Sequence, residues 1–423
     1  MRDHDLRQRA VGEMHLRRWP LLPVPCHVIQ WVLAIDAHER DAELAMIDSV
    51  ADAQSEAANP LHREGRLDDR VRFTWERQSE GTSLTLFVER CDQAMFLDTT
   101  RDPQVSRAIA WARTLPGQII RTTRLWIDVS DDAIAPLIGQ LALNRDELVS
   151  VRLGDKLRMW SDFRIMPDGF GCMLVAANGT DPRDLTRQMQ RLQELGNYRN
   201  KALLGLPVAR DSWPRLDHAE SRLRDLTDRI GDDSARDDSL LDELSALALE
   251  LAAISAGTSF GLDATRAYGQ IVEERLEQLD SREIEGFGSL TDFTQRRFRP
   301  AMNTCLATAE RIGRLAVRTE QLTSLLRARI DTRIENQNAR LLASMDRSIS
   351  VQTQLQQLVE GLSAVALTYY LLSLVKLALY AVPDPGHGVS DEKIIGILVL
   401  PVLLGIWFGM RLLKKQLLGK DAH

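Results

Sequence analysis

Three charged residues around a predicted turn are the nearest approach in this sequence to a catalytic cluster. Asp162 and Arg164 close one candidate strand, and Asp168 lies in the turn before the next strand. A carboxylate beside a guanidinium could serve acid–base catalysis. A surface ion pair beside a hairpin turn explains the same residues and is the more frequent arrangement, so we favour it. Trp160, two residues before Asp162, is grouped with them as a candidate functional residue.

The other chemical motifs are incomplete. The Gly169-Phe170-Gly171 segment is too short for a phosphate-binding loop and lacks a following Lys-Ser or Lys-Thr pair. None of the eight histidines stands at metal-ligand spacing from another histidine or from a cysteine. The cysteines lie far apart without a CxxC pair, which predicts reduced, buried thiols: they are Cys26, Cys91, Cys172 and Cys305. We therefore predict no catalytic, cofactor or metal site.

Lys376 is the second candidate, because it lies within an apolar segment. Ionisable side chains inside a membrane span are costly and often functional. Val382 ends the segment about 9 Å away by helical rise, so the lysine could instead extend to the membrane interface. We leave these two interpretations open. Polar residues also mark the start of this segment, and we interpret them as a stripe facing partner helices; they are Glu360, Ser363, Thr368, Tyr369 and Tyr370.

The segment that contains Lys376 is one of two apolar runs near the end of the sequence. Leu362–Val382 and Ile394–Met410 are each long enough to cross a bilayer as a helix, which takes about 17 to 25 residues. The loop between them contains proline and glycine, which stop helices. Four basic residues follow the second run, whereas the loop carries one lysine against three acidic residues. Because basic flanks stay in the cytoplasm, we predict a two-pass membrane protein with both termini cytoplasmic.

The bulk composition is that of a largely globular chain. It has 423 residues, 44% hydrophobic and 27% charged, which is enough for two or three folding units. The formal net charge of −7 argues against a nucleic-acid-binding protein, whose affinity depends on neutralising phosphates. The N-terminus lacks an apolar stretch of signal-peptide length, so the large N-terminal part is expected to stay in the cytoplasm.

Residues 1–178 mix strand and helix patterns and are predicted to form an α+β domain. Helices are expected at 36–54, with Asp36 as N-cap, and at 130–143. Alternating residues, or runs rich in β-branched and aromatic residues, predict strands at 27–35, 71–76, 84–89, 119–129, 158–165 and 172–176. Hairpins that alternate with helices favour this class over a doubly wound parallel sheet.

Residues 179–299 are predicted to form a helical bundle or antiparallel coiled coil. Asp181 and Pro182 open a helix that we expect to end near Leu206, where Pro207 interrupts it. From Leu216 onward, apolar residues recur at spacings of three and four. This period places them on one face of each helix, which is typical of packed helices.

Residues 300–361 are predicted to form a stalk helix that continues into the first apolar run. No further proline lies between Pro300 and Pro383. If unbroken, the helix is about 120 Å long at about 1.5 Å per residue. Three polar residues interrupt its apolar stripe near the predicted membrane: Gln337, Ser348 and Gln352. These three residues could simply be solvated, or they could form polar layers where two helices pack together. We favour the polar layers and therefore expect a homo-oligomer.

Several runs of residues are distinctive. They are Trp160–Ile165 with Asp168–Gly171, Tyr198–Arg199 with Ala202–Pro207, Arg299–Cys305, Leu341–Arg347, and Leu358–Ser363 with Thr368–Tyr370. These runs resemble a bacterial family known as domain of unknown function 3422, described as uncharacterised membrane-anchored proteins. The resemblance spans essentially the whole chain and implies an architecture without an activity. The family's N-terminal Glu-x-His-x-Arg-Pro stretch is interrupted here by Arg18-Trp19.

The layout is also similar to that of CorA-type magnesium channels. Those channels combine an α/β cytoplasmic domain, a long stalk helix, two spans and a basic cytoplasmic end. Their Gly-Met-Asn motif at the outer end of the first span is missing from the corresponding stretch, Ala378–Pro383. The similarity is one of layout alone, which is a weak argument for function.

The sequence as a whole predicts an α+β cytoplasmic domain, then a long-helix bundle or coiled coil, then a C-terminal two-helix transmembrane hairpin. The hairpin comprises 362–413, with spans 362–382 and 394–413, and a basic cytoplasmic tail follows at 414–423. The expected function is a non-catalytic scaffold or regulatory protein anchored in the bacterial inner membrane, with the lipid bilayer as partner and no nucleic acid. A divalent-cation channel or transporter is the alternative. An anchored enzyme that uses Asp162 and Arg164 is a third hypothesis.

Overall fold

A computed structural model gives the arrangement of the chain. It describes residues 4, 7, 19–52, 61–78, 81–141, 143–232, 236–380 and 391–418. The chain divides into two compact units, Met1–Thr323 and Ser324–His423. The first unit contains a β-sheet, and long helices follow the sheet along the chain. This order confirms the prediction of a sheet-containing N-terminal domain followed by long helices.

The described residues form a nine-stranded sheet in the first unit. Its strands are β1 (Cys26–Ala34), β2 (His62–Arg66), β3 (Val71–Gln78), β4 (Gly81–Val88), β5 (Gln118–Asp128), β6 (Val149–Leu153), β7 (Leu157–Ser161), β8 (Gly171–Ala176) and β9 (Ser281–Glu283). Their spatial order is β2-β3-β4-β1-β5-β8-β7-β6-β9. β5 and β8 pair in parallel, and the other neighbouring pairs are antiparallel. The sheet is therefore mixed and mainly antiparallel.

The strand β1 lies inside the sheet and is covered on both faces. All of its side chains except that of Ala34 are buried, and Trp31 lies opposite Leu84 of β4. The sequence of a strand that is covered on both faces is a nearly continuous run of apolar residues. Gln30 is one of two polar exceptions in this strand, the other being His27.

Four short helices cover one face of the sheet. They are α1 (Arg40–Asp48), α2 (Gln93–Leu97), α3 (Pro103–Ala112) and α4 (Asp131–Gln140). The start of α3 is capped by Asp102, which accepts a hydrogen bond from the backbone N–H of Gln104 at 2.8 Å. Between these helices and the sheet lies an apolar core that includes the fully buried rings of Trp75 and Trp126.

One long helix, α5 (Pro182–Leu203), lies across the opposite face of the sheet. Its buried side chains are apolar near its start and polar farther along the helix. Leu185 enters an apolar core together with Leu125 of β5. Further along the helix, Gln193 and Asn197 are buried and polar. The second half of this interface is therefore a polar layer inside the domain.

Longer helices make up most of the remaining chain. They are α6 (Gly205–Ile230), α7 (Asp237–Gln278), α8 (Leu290–Tyr380) and α9 (Asp391–Leu418). α7 packs against α5 and α6 through buried residues at spacings of three and four, from Leu240 to Val272. α8 begins in the first unit and ends in the second.

Near two prolines, the helix boundaries in the structure differ from those predicted from the sequence. α5 ends at Leu203, and Pro207 lies in the first turn of α6, where its missing N–H breaks no intrahelical hydrogen bond. The helix expected to start at Pro300 starts at Leu290 instead. Apolar contacts on both sides of Pro300, at Phe298 and Met302, hold the helix against the core of the first unit.

The structure also corrects the helix predicted at 36–54. α1 is shorter and begins at Arg40 after Glu39, so Asp36 is not its N-cap. Three strands were not predicted: β2, β6 and β9. β2 and β9 form the two edges of the sheet, where polar residues replace the alternating pattern that identifies half-buried strands.

Two described helices are long and apolar enough to cross a membrane: α7 and the Leu290–Ala378 part of α8. The core helix of a soluble protein meets the same criteria of length and composition, and α7 packs against α5 and α6. The apolar part of α9, Gly396–Leu412, is shorter. Most of the predicted loop between the two apolar runs, and residues 419–423 of the predicted basic tail, lie outside the described residues.

Candidate functional site

The predicted charged residues around the β7–β8 turn do not converge on one position. Arg164 forms an ion pair with Glu147, with 2.8 Å between Nε and Oε2. Asp168 forms a separate ion pair with Arg124 at 2.7 Å. Asp162 is buried and accepts a hydrogen bond from the backbone N–H of Arg164 at 3.1 Å. Each charged group therefore stabilises a different part of the loop.

Trp160 is a core residue of β7. Its ring is buried, and the guanidinium of Arg158 lies 4.5 Å from the ring centroid. Arg158 also forms an ion pair with Asp131 at 3.0 Å. The Arg158 guanidinium therefore contacts both the ring of Trp160 and the carboxylate of Asp131, and it joins β7 to the first turn of α4.

The polar candidates near the first apolar run differ in exposure. Thr368 is buried, and its hydroxyl donates a hydrogen bond to the carbonyl oxygen of Ala364 at 2.6 Å. With Leu372, these buried residues recur every four positions and form one face of α8. The other candidates are half-buried or exposed: Glu360, Ser363, Tyr369, Tyr370 and Lys376. Among the polar candidates, only Thr368 is therefore fully buried.

A Gly-x-Ser-x-Gly match at 257–261 lacks the geometry of a hydrolase. In α/β-hydrolases this motif forms a sharp turn between a strand and a helix, which exposes the nucleophilic serine. Here the motif lies in the middle of α7. Gly261 instead lies where α7 passes close to α6, since its carbonyl oxygen would be 3.1 Å from a Cβ on Gly205. Gly205, which has no Cβ, therefore allows α6 to lie close to α7 at this point.

The cysteines and acidic residues give no sign of metal binding in the described part of the chain. No group of three or more His, Cys, Asp or Glu side chains there could hold a metal ion. The four cysteines are free and buried, as the sequence predicts. Burial raises the pKa of Cys172 to about 12, so its thiol stays protonated at neutral pH. Because the thiolate is the nucleophile and the metal ligand, Cys172 is a structural residue.

The structure instead brings polar residues together between the sheet and α5. A chain of hydrogen bonds begins at Thr85, whose hydroxyl accepts from Gln30 Nε2 at 2.9 Å. Gln30 Oε1 in turn accepts from Asn197 Nδ2 at 3.0 Å. Arg121 Nη1 then donates to Asn197 Oδ1 at 2.6 Å and to Gln193 Oε1 at 2.7 Å. All five side chains are buried, so this network fixes the position of the Arg121 guanidinium.

Gly196 allows Arg121 to lie directly against α5. A Cβ at this position would be 2.6 Å from Arg121 Nη2 and 2.7 Å from its Cζ, which is closer than van der Waals contact permits. The Arg121 side chain is 9% exposed. Burial, and then the charge of Arg199, lower the pKa of Arg121 to about 9. The guanidinium is therefore a buried cation next to a second one.

Arg199 lies against two aromatic rings. Its guanidinium carbon is 4.8 Å from the ring centroid of Phe163 and 5.0 Å from that of Phe293. The two rings stack on each other with 4.4 Å between their centroids. Burial lowers the pKa of Arg199 to about 10. Cation–π contact therefore stabilises this buried charge.

A cavity of about 190 Å³ opens beside the two arginines. Its wall contains Arg121, Arg199 and the exposed Arg164, together with apolar side chains such as Ile119 and Met173. Among the residues that the structure describes, no Asp or Glu lines it. The cavity is therefore lined by cationic and apolar side chains, a combination that can hold a small anionic ligand.

Neither arginine was a candidate in the sequence. One signal was available for Arg121, because it lies within the predicted strand at 119–129, and a charge that becomes buried in a sheet requires compensation. Arg199 occurs in the Tyr198–Arg199 run that carries the family resemblance. The residues that complete the site, such as Asn197 and Phe293, come from helices far along the chain from β5.

A family model described as "Protein of unknown function (DUF3422)" matches residues 2–417. No curated protein matches the chain. The family description assigns no activity to the residues described above.

Proposed function

Since the chain belongs to the DUF3422 family, whose description names no activity, we propose from its structure that it is a non-catalytic, membrane-anchored scaffold or regulatory protein. The observation that carries this proposal is α8. This helix begins in the first unit at Leu290 and includes, near its end at Tyr380, a segment apolar enough to cross a membrane. A continuous helix of this kind attaches a water-soluble domain to a bilayer without any catalytic group.

In this proposal α8 and α9 form a two-pass hairpin in the bacterial inner membrane. Large apolar side chains on α8 are exposed within the protein, including Leu362, Leu374 and Leu377 at 66% or more. Contiguous apolar surface of this kind is unusual on a soluble monomer, and lipid would cover it. Basic residues follow the apolar part of α9 and support a cytoplasmic position for both termini.

Removing the apolar segments tests the anchor. A chain shortened to residues 1–340 keeps the whole first unit, Met1–Thr323, and lacks both apolar runs. We expect the full chain to remain in the membrane pellet after an alkaline carbonate wash and the shortened chain to move to the soluble fraction. A chain shortened to 1–416, which keeps both runs, is the control and should stay in the pellet. Release of the full chain by carbonate would contradict membrane spanning.

The alternative of a divalent-cation channel shares this architecture. It is distinguished by reconstitution of the full chain into liposomes. We propose that such liposomes take up magnesium no faster than empty ones. Uptake above that control would favour the channel over the anchor.

An exposed apolar stripe on α8 supports self-association. Residues at spacings of four, seven and ten lie on one side of the helix, and each is at least 49% exposed: Ile334, Leu341, Met345, Leu355 and Val359. No side chain of α8 between 327 and 363 is fully buried. A repeating stripe of this kind is the pattern by which helices associate in coiled coils. We therefore propose a homo-oligomer joined along this stripe.

Polar substitutions on the stripe should separate the protomers. In the full chain, Leu341→Gln combined with Leu355→Gln removes two buried leucines per protomer from the proposed interface. We expect the dissociation constant of the oligomer to rise by about 100-fold or more. Leu342→Gln is the matched control for Leu341→Gln alone, because it makes the same single change about 100° around the helix. Analytical ultracentrifugation in detergent measures the difference, and equal effects of the two single changes would argue against the stripe.

A further inference from the structure

We propose that the cavity beside Arg121 and Arg199 binds a phosphate-type oxyanion, either free phosphate or the phosphoryl group of a small metabolite. The site lies wholly within the first unit. The inference adds a ligand to the proposed regulatory protein and does not depend on its membrane anchoring.

The two arginines lack the counter-charge that buried cations normally have. Both side chains are 9% exposed. Arg121 donates to the neutral amide oxygens of Gln193 and Asn197, and Arg199 contacts the rings of Phe163 and Phe293. In the described part of the chain neither guanidinium forms an ion pair with a carboxylate, and burial is the first cause of both lowered pKa values. Buried charges are otherwise paired with an opposite charge, so the site has an unbalanced positive charge.

The pKa values of the two guanidinium groups show the cost of this arrangement. Burial is the first cause and the neighbouring Arg199 charge the second for the pKa of Arg121, which falls to about 9. Burial lowers the pKa of Arg199 to about 10. An anion between them would stabilise both charged forms and oppose both effects.

Arg121 has donors available for an anion. Both of its hydrogen bonds to the amides use Nη1, so Nη2 and Nε donate to no atom in the described part of the protein. A guanidinium presents paired N–H donors whose geometry matches two oxygens of a phosphate. The network from Thr85 to Gln193 holds Arg121 in place before a ligand arrives, which reduces the entropy lost on binding.

The size and wall of the cavity limit the ligand. Its volume of about 190 Å³ is below the range of about 300 to 1,000 Å³ that is usual for drug-sized ligands. Phosphate or a short phosphorylated metabolite is therefore of suitable size. The apolar side chains of Ile119, Phe163 and Met173 offer contacts to a short carbon chain next to the phosphoryl group.

Calorimetric titration of the full chain in detergent micelles with inorganic phosphate tests the proposal. Sodium chloride at equal ionic strength is the reference. We expect saturable binding, and a rise in Tm of about 5 °C at a phosphate concentration about 100 times Kd. Glycerol phosphate is titrated in parallel. Tighter binding of glycerol phosphate would assign a phosphorylated metabolite, and tighter binding of inorganic phosphate would assign the free ion.

Two variants change the site in different ways. Arg199→Met removes one cation and keeps a long side chain against the two rings, and Gly196→Ala keeps both cations but displaces Arg121. We expect each to weaken phosphate binding by about tenfold or more, because a hydrogen bond to a charged group is lost or misplaced. Arg107→Gln is the matched control, since Arg107 is exposed on α3 at the opposite face of the sheet. Its affinity for phosphate should equal that of the wild type.

Several outcomes would overturn the proposal. One is phosphate binding no stronger than the effect of sodium chloride, and another is wild-type affinity in Arg199→Met. Binding of citrate without binding of phosphate would assign a carboxylate ligand and would also overturn it. If Arg199→Met does not fold, Gly196→Ala decides the question, since it retains every charged group of the site.

Discussion

Replacing Gly81 with alanine is expected to lower the free energy of unfolding by about 3 kcal/mol or more, because the new methyl group has no space. Its Cβ would lie 1.9 Å from the carbonyl oxygen of Leu33 and 3.0 Å from the carbonyl carbon. These are backbone atoms of β1, so no side-chain rotation relieves the overlap. β4 would have to move away from β1 at the Ala34–Gly81 pair, and this displacement would weaken the ladder in the middle of the sheet.

Chemical denaturation followed by tryptophan fluorescence measures this effect. Gly139→Ala is the matched control, because it lies in α4 and no atom is within 4 Å of the Cβ it would gain. That variant should keep its stability or gain up to about 1 kcal/mol from helix propensity. A Gly81→Ala protein as stable as the wild type would mean that the start of β4 shifts without cost.

Acidification is expected to remove about 4 to 5 kcal/mol of folding free energy through His27 alone between pH 6.5 and about pH 3. Burial, and then the charge of Arg124, lower the pKa of His27 from 6.5 to about 3. Its Nε2 is buried without a hydrogen-bond partner in the described structure, so protonation would leave an unpaired charge in the core. The unfolded chain accepts the proton near pH 6.5 and the folded chain only near pH 3. The contribution is therefore complete above pH 6.5 and is lost as the pH falls toward 3.

The His27→Leu variant isolates this contribution from the carboxylates that also titrate in acid. Between pH 6 and pH 4, its unfolding free energy should fall less steeply than that of the wild type, by about 1.4 kcal/mol per pH unit. His38→Gln removes an imidazole at an exposed position next to α1 and should keep the wild-type slope. Parallel slopes for His27→Leu and the wild type would show that His27 accepts a proton in the folded state.

The parts of the fold that were predicted correctly are those with a repeating apolar pattern. β1 and β5 were found because they lie inside the sheet and are rich in β-branched and aromatic residues. The edges β2 and β9 were missed because their sequences, His62–Arg66 and Ser281–Glu283, are polar and depend on a neighbouring strand for their shape. Long helices were recognised by their period, but their ends at prolines were set by tertiary contacts that the local sequence does not contain.

The candidate site was not predictable from local pattern. Asp162 and Arg164 are close together in the sequence. The two buried cations that line the cavity are different residues, Arg121 and Arg199. Arg121 lies on β5 and Arg199 lies on α5, so only the packing of this helix on the sheet brings them together. The isolated signal in the sequence was a charged residue within the strand predicted at 119–129.

The strand β9 has a consequence for how the chain folds during synthesis. It pairs with β6 at one edge of the sheet, but α5, α6 and α7 separate it from β8 in the sequence. Closing so long a loop has an entropic cost and slows the formation of the contact. The ribosome must therefore extend the chain beyond Glu283 before the sheet is complete. Until then β6 has an open edge that can pair with another nascent chain.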